Sequence, residues 1–274
     1  MNRIILLTFA GLISANAYSQ TSNTNVLKLA VDKTKHFAIN TSNASIDIEG
    51  YDGDELIIEA ITNKAPSTVP PEAAGLTKIP FPMRPAEDNT ISYKQIGQTD
   101  FLNQISITTK CNYLHIKVPN NILLFSLNSQ NARYANYLTI SNYKGAFQLD
   151  GSASSVNVSK VTGPFKISIR TEKLSVKDVA WNATAAWPAE VSKSNFSSPY
   201  IIGSPVGFAN VDIAVPEDVK ASFFIDSRRG HLYTDLPLLR DNNLAPGPKP
   251  LTVNGGGIKI GINVGDWDVY LRKQ

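Results

Sequence analysis

Cysteine is almost missing from this 274-residue sequence, in which Cys111 is the single example. No intrachain disulfide can form, and no cysteine follows the N-terminal apolar segment to carry a lipid anchor. Cys111 opens residues 111–118, whose alternating apolar and polar side chains are typical of a strand. We therefore expect a buried, unreactive thiol at this position.

An excess of charge of one sign is also missing, since 26 Lys and Arg residues nearly balance 23 Asp and Glu residues. The formal net charge is +3, and loss of an N-terminal segment whose one charged residue is Arg3 would leave +2. The basic residues form no long run. Nucleic acid is therefore not an expected partner.

A long apolar run occurs at the N-terminus, where residues 1–19 have the three parts of a secretory signal. Arg3 supplies the positive charge, residues 4–13 supply the apolar run, and small residues precede the expected cut after Ser19, with Ala17 as the alternative. An apolar run of about ten residues is well short of the roughly 20 that span a bilayer. We expect a secreted, periplasmic or cell-surface protein with no transmembrane segment after signal cleavage.

Amphipathic helices are not indicated, because no window combines a 3.6-residue apolar period with helix caps. Alternating apolar and polar residues recur instead along the chain, for example in 27–31, 55–60, 104–108 and 258–264. This pattern is typical of half-buried strands. We expect residues 20–274 to form a single repetitive all-β domain.

Residues 145–178 contain an 18-residue repeat. Its unit is a pair of apolar residues two apart, six intervening residues and a second such pair, as in Phe147, Leu149, Val156 and Val158, repeated in Phe165, Ile167, Leu174 and Val176. The same template fits residues 37–48 and 223–234. Because residues two apart in a strand point to one face, each unit predicts two short strands that share an interior.

Units of this kind, stacked about 4.8 Å apart, would form a β-solenoid with two-strand rungs. An antiparallel β-sandwich is the alternative, because turn signals every 8–12 residues also suit that fold. Proline-rich stretches interrupt the repeat at 63–89, 179–210 and 236–250. We expect them to be loops on the scaffold, where a specialised surface would lie.

These features together resemble a bacterial family of adhesin-like domains of unknown function, which are made of repetitive short strands. The resemblance is carried by the 18-residue units and by residues 37–39, 45–56, 114–119, 211–216, 255–260 and 265–271. It implies an all-β scaffold and brings no catalytic residues. The three proline-rich stretches depart from the family pattern.

Motifs for metals and cofactors are weak. His36, His115 and His231 are scattered among strands, so no metal site is expected. Acidic residues crowd the turn at 50–55, where they could hold a hard cation, although a β-turn explains them without one. The glycines at 255–257 indicate a backbone bend and not a phosphate loop. We expect no cofactor.

Catalytic residues are not indicated either. Asp226, Arg228, Arg229 and Asp235 form the nearest grouping that could act on a glycan, but they fall in the turn and strand of one repeat unit, where solvated charges are expected. We expect a non-enzymatic protein. A carbohydrate-active enzyme or a glycan-binding protein on the same scaffold is the alternative.

Candidate binding residues occur among the aromatic side chains of the second proline-rich stretch, which are Trp181, Trp187, Phe196, Tyr200 and Phe208. Exposed rings would stack on sugars or fill a pocket of a partner, so Trp181, Trp187 and Tyr200 are the candidates. The alternative is that this stretch caps the apolar column. The sequence thus predicts an exported module that binds or scaffolds in the cell envelope, with an unidentified protein or glycan as its partner.

Overall fold

A computed structural model describes residues 25–42, 44–61, 91–98, 102–109, 111–130, 136–189, 198–203, 210–227, 229–240 and 250–274. The predicted signal at 1–19 and the proline-rich stretch at 63–89 lie outside these residues. The all-β prediction is confirmed, since the described part of the chain forms 21 strands. No helix within it is long and apolar enough to cross a membrane.

The strands follow one another along the whole described chain. In chain order they are β1 (Val26–Ala30), β2 (His36–Ser42), β3 (Ser45–Tyr51), β4 (Glu55–Ile61), β5 (Ile91–Gln98), β6 (Leu102–Thr109), β7 (Tyr113–Pro119), β8 (Leu124–Gln130), β9 (Tyr137–Ser141), β10 (Phe147–Ser152), β11 (Ser155–Ser159), β12 (Phe165–Arg170), β13 (Lys173–Lys177), β14 (Tyr200–Gly203), β15 (Asn210–Val215), β16 (Ala221–Ser227), β17 (Leu232–Thr234), β18 (Leu239–Arg240), β19 (Leu251–Val253), β20 (Ile258–Gly265) and β21 (Val269–Lys273).

These strands form two large mixed sheets. Sheet A has 11 strands in the order β18-β19-β16-β20-β14-β12-β10-β8-β2-β6-β5, and sheet B has 10 in the order β1-β4-β7-β3-β9-β11-β13-β15-β21-β17. Buried apolar residues of both sheets belong to one hydrophobic core, so the sheets face each other as in a sandwich. The pairing differs from that of an antiparallel sandwich, because the antiparallel pairs all involve β1, β4, β5, β18 or β19 near the sheet ends.

The two units predicted at 145–178 lie side by side. Phe147 pairs with Phe165 in sheet A, and Val156 pairs with Leu174 in sheet B, both in parallel register. Each unit therefore places its first strand in one sheet and its second strand in the other. Residues two apart in each strand face the core between the sheets, which explains the spacing of the apolar pairs.

The two-strand units do not stack in chain order at the ends of the sheets. The unit β2/β3 lies between β6/β7 and β8/β9, and the unit β20/β21 lies between β14/β15 and β16/β17. The last strands of the chain are thus interior strands with a parallel neighbour on each side. The spacing of the repeat predicts neither of these two departures from chain order.

One position of sheet A carries aromatic side chains through most of the stack. The residues paired at this level are Phe37, Phe125, Phe147, Phe165, Tyr200, Ile260 and Phe223. All of them are buried, and each buried Phe stabilises the fold by about 1.5–3 kcal/mol through removal of its ring from water.

The corner that returns the chain from sheet B to sheet A also recurs every 18 residues. Asn142, Lys160 and Asp178 have φ values of 56, 52 and 51°, the left-handed region that Asn and Asp tolerate best. Three residues after Lys160, Gly163 packs so closely that a Cβ there would lie 2.1 Å from the carbonyl oxygen of Gly145. Only glycine fits at that approach.

Candidate binding face

The outer side of sheet B carries one row of paired residues that crosses all ten strands. We call it the outer row. Asp47 illustrates its geometry, because the neighbouring side chains of Ile46 and Ile48 are fully buried on the opposite side of the sheet. In spatial order the outer row is Val26, Glu59, His115, Asp47, Thr139, Asn157, Ser175, Asp212, Tyr270 and Tyr233.

Near the β1 end of the row, His115 lies between two glutamates from neighbouring strands. Its Nε2 is 3.4 Å from Glu49 Oε2, and its Nδ1 is 3.4 Å from Glu59 Oε2. Antiparallel pairing of β4 with β7 brings Glu59 to this position. These two contacts link β3, β7 and β4 on the outer side of sheet B.

Asp47 is held by two hydroxyl groups. Tyr113 Oη donates a hydrogen bond to Asp47 Oδ2 at 2.7 Å, and Thr139 Oγ1 donates to Asp47 Oδ1. Burial, with help from the hydrogen bond to Asp47, holds the pKa of Tyr113 well above its usual value, so its hydroxyl stays a donor. The ring of Tyr137 packs beside that of Tyr113 at 6.0 Å. This part of the face is polar, and its side chains are joined by hydrogen bonds.

At the opposite end of the row, Tyr233 and Tyr270 form what we call the terminal tyrosine pair. Their ring centroids are 5.1 Å apart and their planes differ by 14°, which is an offset stack. The Arg272 guanidinium lies 5.3 Å from the centroid of the Tyr270 ring, and its Nε donates to Asp212 Oδ1 at 3.0 Å. Tyr233 is 49% exposed although it belongs to this stack.

His231 borders the terminal tyrosine pair. Its backbone N–H donates to Asp268 Oδ1 at 2.8 Å, its ring Nδ1 is 3.3 Å from the same oxygen, and its ring centroid is 6.1 Å from that of Tyr233. Tyrosine and arginine are the residue types that contribute most at binding hot spots. An aromatic face also accepts a cation or a second ring. The arrangement is therefore chemically suited to binding.

Two of the three predicted binding residues are buried. Tyr200 is fully buried in the core, where its ring packs 5.2 Å from that of Phe165 and its Oη accepts a hydrogen bond from the backbone N–H of Asn182 at 2.9 Å. Trp181 is half-buried, with its ring centroid 5.0 Å from that of Tyr200. The structure thus brings Trp181 and Tyr200 together, with surface left only on Trp181.

Trp187 lies apart from that pair. It is 7% exposed, forms a small buried cluster with Leu124 and Ala146, and donates a hydrogen bond from Nε1 to the carbonyl oxygen of Ser198 at 3.0 Å. The second proline-rich stretch, which contains Trp181 and Trp187, leaves the stack between β13 and β14, and neither strand is at an end of its sheet. Its tryptophans therefore lie along the side of the column and not over its end. Phe196 and Phe208 lie outside the described residues.

The charged residues considered for glycan chemistry lie on different sheets. Asp226 is exposed on β16 of sheet A, whereas Asp235 follows β17 of sheet B and accepts a hydrogen bond from the backbone N–H of Lys273 at 2.8 Å. Arg229 Nε is 3.8 Å from Asp266 Oδ1. Arg228 lies outside the described residues.

The remaining candidates have ordinary structural surroundings. In the turn at 50–55, Asp52 accepts a hydrogen bond from Asn120 Nδ2 at 2.9 Å and lies 3.4 Å from Lys144 Nζ. Cys111 is buried, as predicted, and its Sγ is 3.1 Å from the carbonyl oxygen of Tyr113. Within the described ranges, no group of three or more His, Cys, Asp or Glu side chains has the geometry to hold a metal ion.

The outer row was missed in the sequence, although a signal for it exists. Tyr233 lies between Leu232 and Thr234, the second pair of a repeat unit, and such a middle residue must point outward. Tyr270 has the same relation to Val269 and Leu271. The contact between the two rings could not be predicted, because β20/β21 is placed out of chain order beside β16/β17.

No protein-family model matches the chain, and no curated protein matches it. A crystal structure of a "putative cell adhesion protein" from Clostridium sporogenes is similar to this chain with a TM-score of 0.35 and 9% identity, covering 91% of this chain and 99% of that chain.

Proposed function

We propose that this chain is an exported, non-enzymatic, adhesin-like module that binds or scaffolds in the bacterial cell envelope. The observation that carries the proposal is the terminal tyrosine pair, in which a half-exposed Tyr233 stacks on Tyr270 beside Arg272 at the end of the outer row. The partner is an extracellular or cell-envelope protein or glycan. Residues 1–19 act as the export signal, and residues 20–274 act as one domain without a cofactor.

We further propose that the scaffold is a β-solenoid of two-strand rungs with antiparallel strands added at its ends. Hydrogen bonds between successive units continue around both corners, which supports this description. Thr162 N–H donates to the carbonyl oxygen of Tyr143 at 3.1 Å at one corner, and Ala153 N–H donates to that of Arg170 at 3.0 Å at the other. A stack paired along its strands and its corners resists bending.

Rigidity is what a binding face needs, because side chains held in place lose little entropy when a partner binds. The strands of the outer row are interior strands for most of its length, and several of its side chains are fixed by ion pairs or hydrogen bonds. Asp212 holds Arg272 beside Tyr270, and Asp268 holds His231 beside Tyr233. The face is thus organised before a partner arrives.

The proposal is tested with the purified mature chain on an array of glycans and extracellular proteins. We expect Tyr233→Ala and Tyr270→Ala to weaken binding to the positive ligand by about tenfold or more, equal to about 1.4 kcal/mol. Phe224→Ala is the matched control, since Phe224 is an exposed aromatic residue on sheet A. Equal binding by all three variants would overturn the proposal.

The same array separates binding from the enzymatic alternative. Release of products from any glycan by the wild type, lost in Asp226→Asn or Asp235→Asn, would establish a carbohydrate-active enzyme instead. We expect no turnover, because Asp226 lies on β16 of sheet A, whereas Asp235 follows β17 of sheet B and accepts a hydrogen bond from the backbone N–H of Lys273.

A further inference from the structure

The middle of the outer side of sheet B carries lysines and small polar side chains. Every second residue of β9, β11 and β13 points outward, because the residues between them, such as Val156 and Val158, are buried in the core. The outward residues are Tyr137, Thr139, Ser141, Ser155, Asn157, Ser159, Lys173, Ser175 and Lys177. Two of these side chains are cations and none is a carboxylate, so this part of the sheet favours an anionic ligand.

Lys177 and Arg272 lie on either side of a small residue, Ala214, and we call these three residues the basic cradle. Ala214 pairs with Arg272 across β15 and β21, and Lys177 lies on its other side because Val176 pairs with Ile213. Two strand spacings, roughly 9–10 Å, therefore separate the backbones of the two cations. Ala214 faces outward and is buried between the longer side chains beside it. A carboxylate placed above Ala214 would be within reach of both cations.

Two carboxylates border the basic cradle, and both accept hydrogen bonds from this chain. Asp212 Oδ1 accepts from Arg272 Nε at 3.0 Å, and Asp178 Oδ1 accepts from Gln274 Nε2 at 2.6 Å. A guanidinium has five N–H donors, and the contact with Asp212 uses one of them. Lys177 is exposed, and among the described residues it has no ion-pair partner. The cradle therefore presents an ammonium group and an oriented guanidinium to a ligand.

The surroundings of the basic cradle suit a sugar better than a protein. The centre of a protein interface is depleted in serine and lysine, whereas this part of the outer side is rich in both. Ser141, Asn157 and Ser159 offer hydroxyl and amide groups, which hydrogen-bond to the hydroxyl groups of a sugar. On the other side of the cradle, the exposed ring of Tyr233 can pack against the apolar face of a sugar ring. A sugar that carries a carboxylate matches all of these groups.

We propose that the basic cradle and the terminal tyrosine pair form one site for an acidic polysaccharide. The carboxylate of one uronic acid unit lies between Lys177 and Arg272, and a neighbouring unit lies against Tyr233. The site extends from β13 to β17, three strand spacings or roughly 14 Å, so it holds several sugar units. The inference deepens the proposed function and rests on it, since it assigns a ligand class to the face that carries the terminal tyrosine pair.

Calorimetric titration of the mature chain with oligosaccharides of galacturonic, glucuronic and mannuronic acid tests the inference. We expect at least one of them to bind. Lys177→Ala and Arg272→Ala should each weaken that binding about five- to tenfold, because each removes a charged hydrogen-bond donor. Lys177→Arg keeps the charge and should retain the affinity. Lys173→Ala is the matched control, since Lys173 is an exposed lysine of the same strand, and this variant should bind like the wild type.

Two further probes separate recognition of an acidic sugar from recognition of sugar or charge alone. The methyl ester of the bound oligosaccharide has the same rings without the charge, and a glutamate oligomer has the charge without the rings. We expect both to bind at least about tenfold more weakly. Added salt should also weaken the uronate complex through screening. Absence of binding by all three uronates, equal binding of either further probe, or equal effects of Lys173→Ala and Lys177→Ala would overturn the inference.

The result is distinguishable from failure of the proposed function. A ligand found on the array that requires Tyr233 but binds Lys177→Ala like the wild type would overturn this inference alone. Uronate binding that is weakened in Lys177→Ala but unchanged in Tyr233→Ala and Tyr270→Ala would instead overturn the role of the terminal tyrosine pair, on which the proposed function depends. Uronate binding that is weakened in all three variants would support both.

Discussion

Phe147 and Phe165 stack face to face in the core, with ring centroids 5.2 Å apart and planes that differ by 18°. Their contact places one 18-residue unit directly over the next. We expect Phe165→Ala to lower the free energy of unfolding by about 3–5 kcal/mol, since the ring leaves a cavity between two neighbouring rings. Urea unfolding measures the loss. Asn157→Ala, an exposed outer-row change, should stay within about 0.5 kcal/mol of the wild type.

Gly163 and Gly261 provide a matched pair of Gly→Ala substitutions. A Cβ at Gly163 would lie 2.1 Å from the carbonyl oxygen of Gly145, whereas at Gly261 the nearest atom is the carbonyl oxygen of Tyr200 at 3.8 Å. We expect Gly163→Ala to cost about 1–3 kcal/mol because successive corners must separate. Gly261→Ala should change stability by less than about 0.5 kcal/mol. Equal effects in urea unfolding would contradict the close stacking of the corners.

The hydroxyl of Tyr143 is buried without a hydrogen-bond partner among the described residues. Burial also raises the pKa of Tyr143, so the hydroxyl remains protonated in the core. Removing an unpaired buried hydroxyl relieves its desolvation cost, and we expect Tyr143→Phe to stabilise the fold by about 1 kcal/mol.

The control for this substitution is Tyr200→Phe. The Tyr200 hydroxyl accepts a hydrogen bond from the Asn182 backbone N–H, so its removal leaves that donor unpaired and should destabilise the fold by about 1 kcal/mol. Opposite signs in thermal or urea unfolding would agree with the structure. Destabilisation by both substitutions would indicate that the Tyr143 hydroxyl also forms a hydrogen bond.

Acid should weaken the fold through His36. Burial lowers the pKa of His36 below its ordinary value of 6.5, and its Nε2 lies 2.7 Å from Ser126 Oγ. Because the unfolded chain binds the proton more tightly, the stability from neutral His36 is present above pH 6.5 and is lost as pH falls through the folded pKa. We expect His36→Gln to flatten the fall of the urea midpoint below pH 6.5. An unchanged fall in His36→Gln would contradict this assignment.

Trp187 and Tyr233 should separate stability from binding. Trp187 covers Leu124 and Ala146, so Trp187→Ala should cost about 3–5 kcal/mol while leaving ligand affinity unchanged in conditions where the chain is folded. Tyr233→Ala should weaken ligand binding and leave the free energy of unfolding nearly unchanged. A loss of affinity in Trp187→Ala would instead support the binding role predicted for Trp181, Trp187 and Tyr200. Parallel titrations with one array-positive ligand measure both variants.

Several features of the fold could be predicted because they depend on short-range geometry. The alternation of apolar residues determines which side chains face the core, and the spacing in 145–178 anticipates the pairing of Phe147 with Phe165. The candidate site could not be predicted in the same way. His115 meets Glu49 and Glu59, and Tyr233 meets Tyr270, through strand neighbours that come from distant parts of the chain.

The sequence by itself therefore determined the all-β class, the two-strand unit and the inward or outward direction of each residue within it. Only the tertiary structure decided the order of the units, the insertion of β20/β21 between β14/β15 and β16/β17, and the antiparallel strands at the sheet ends. The physical reason is that backbone hydrogen bonds are nearly the same for every sequence. The order of the strands therefore depends on how their side chains pack in the core, and the spacing of residues along the chain does not predict that packing.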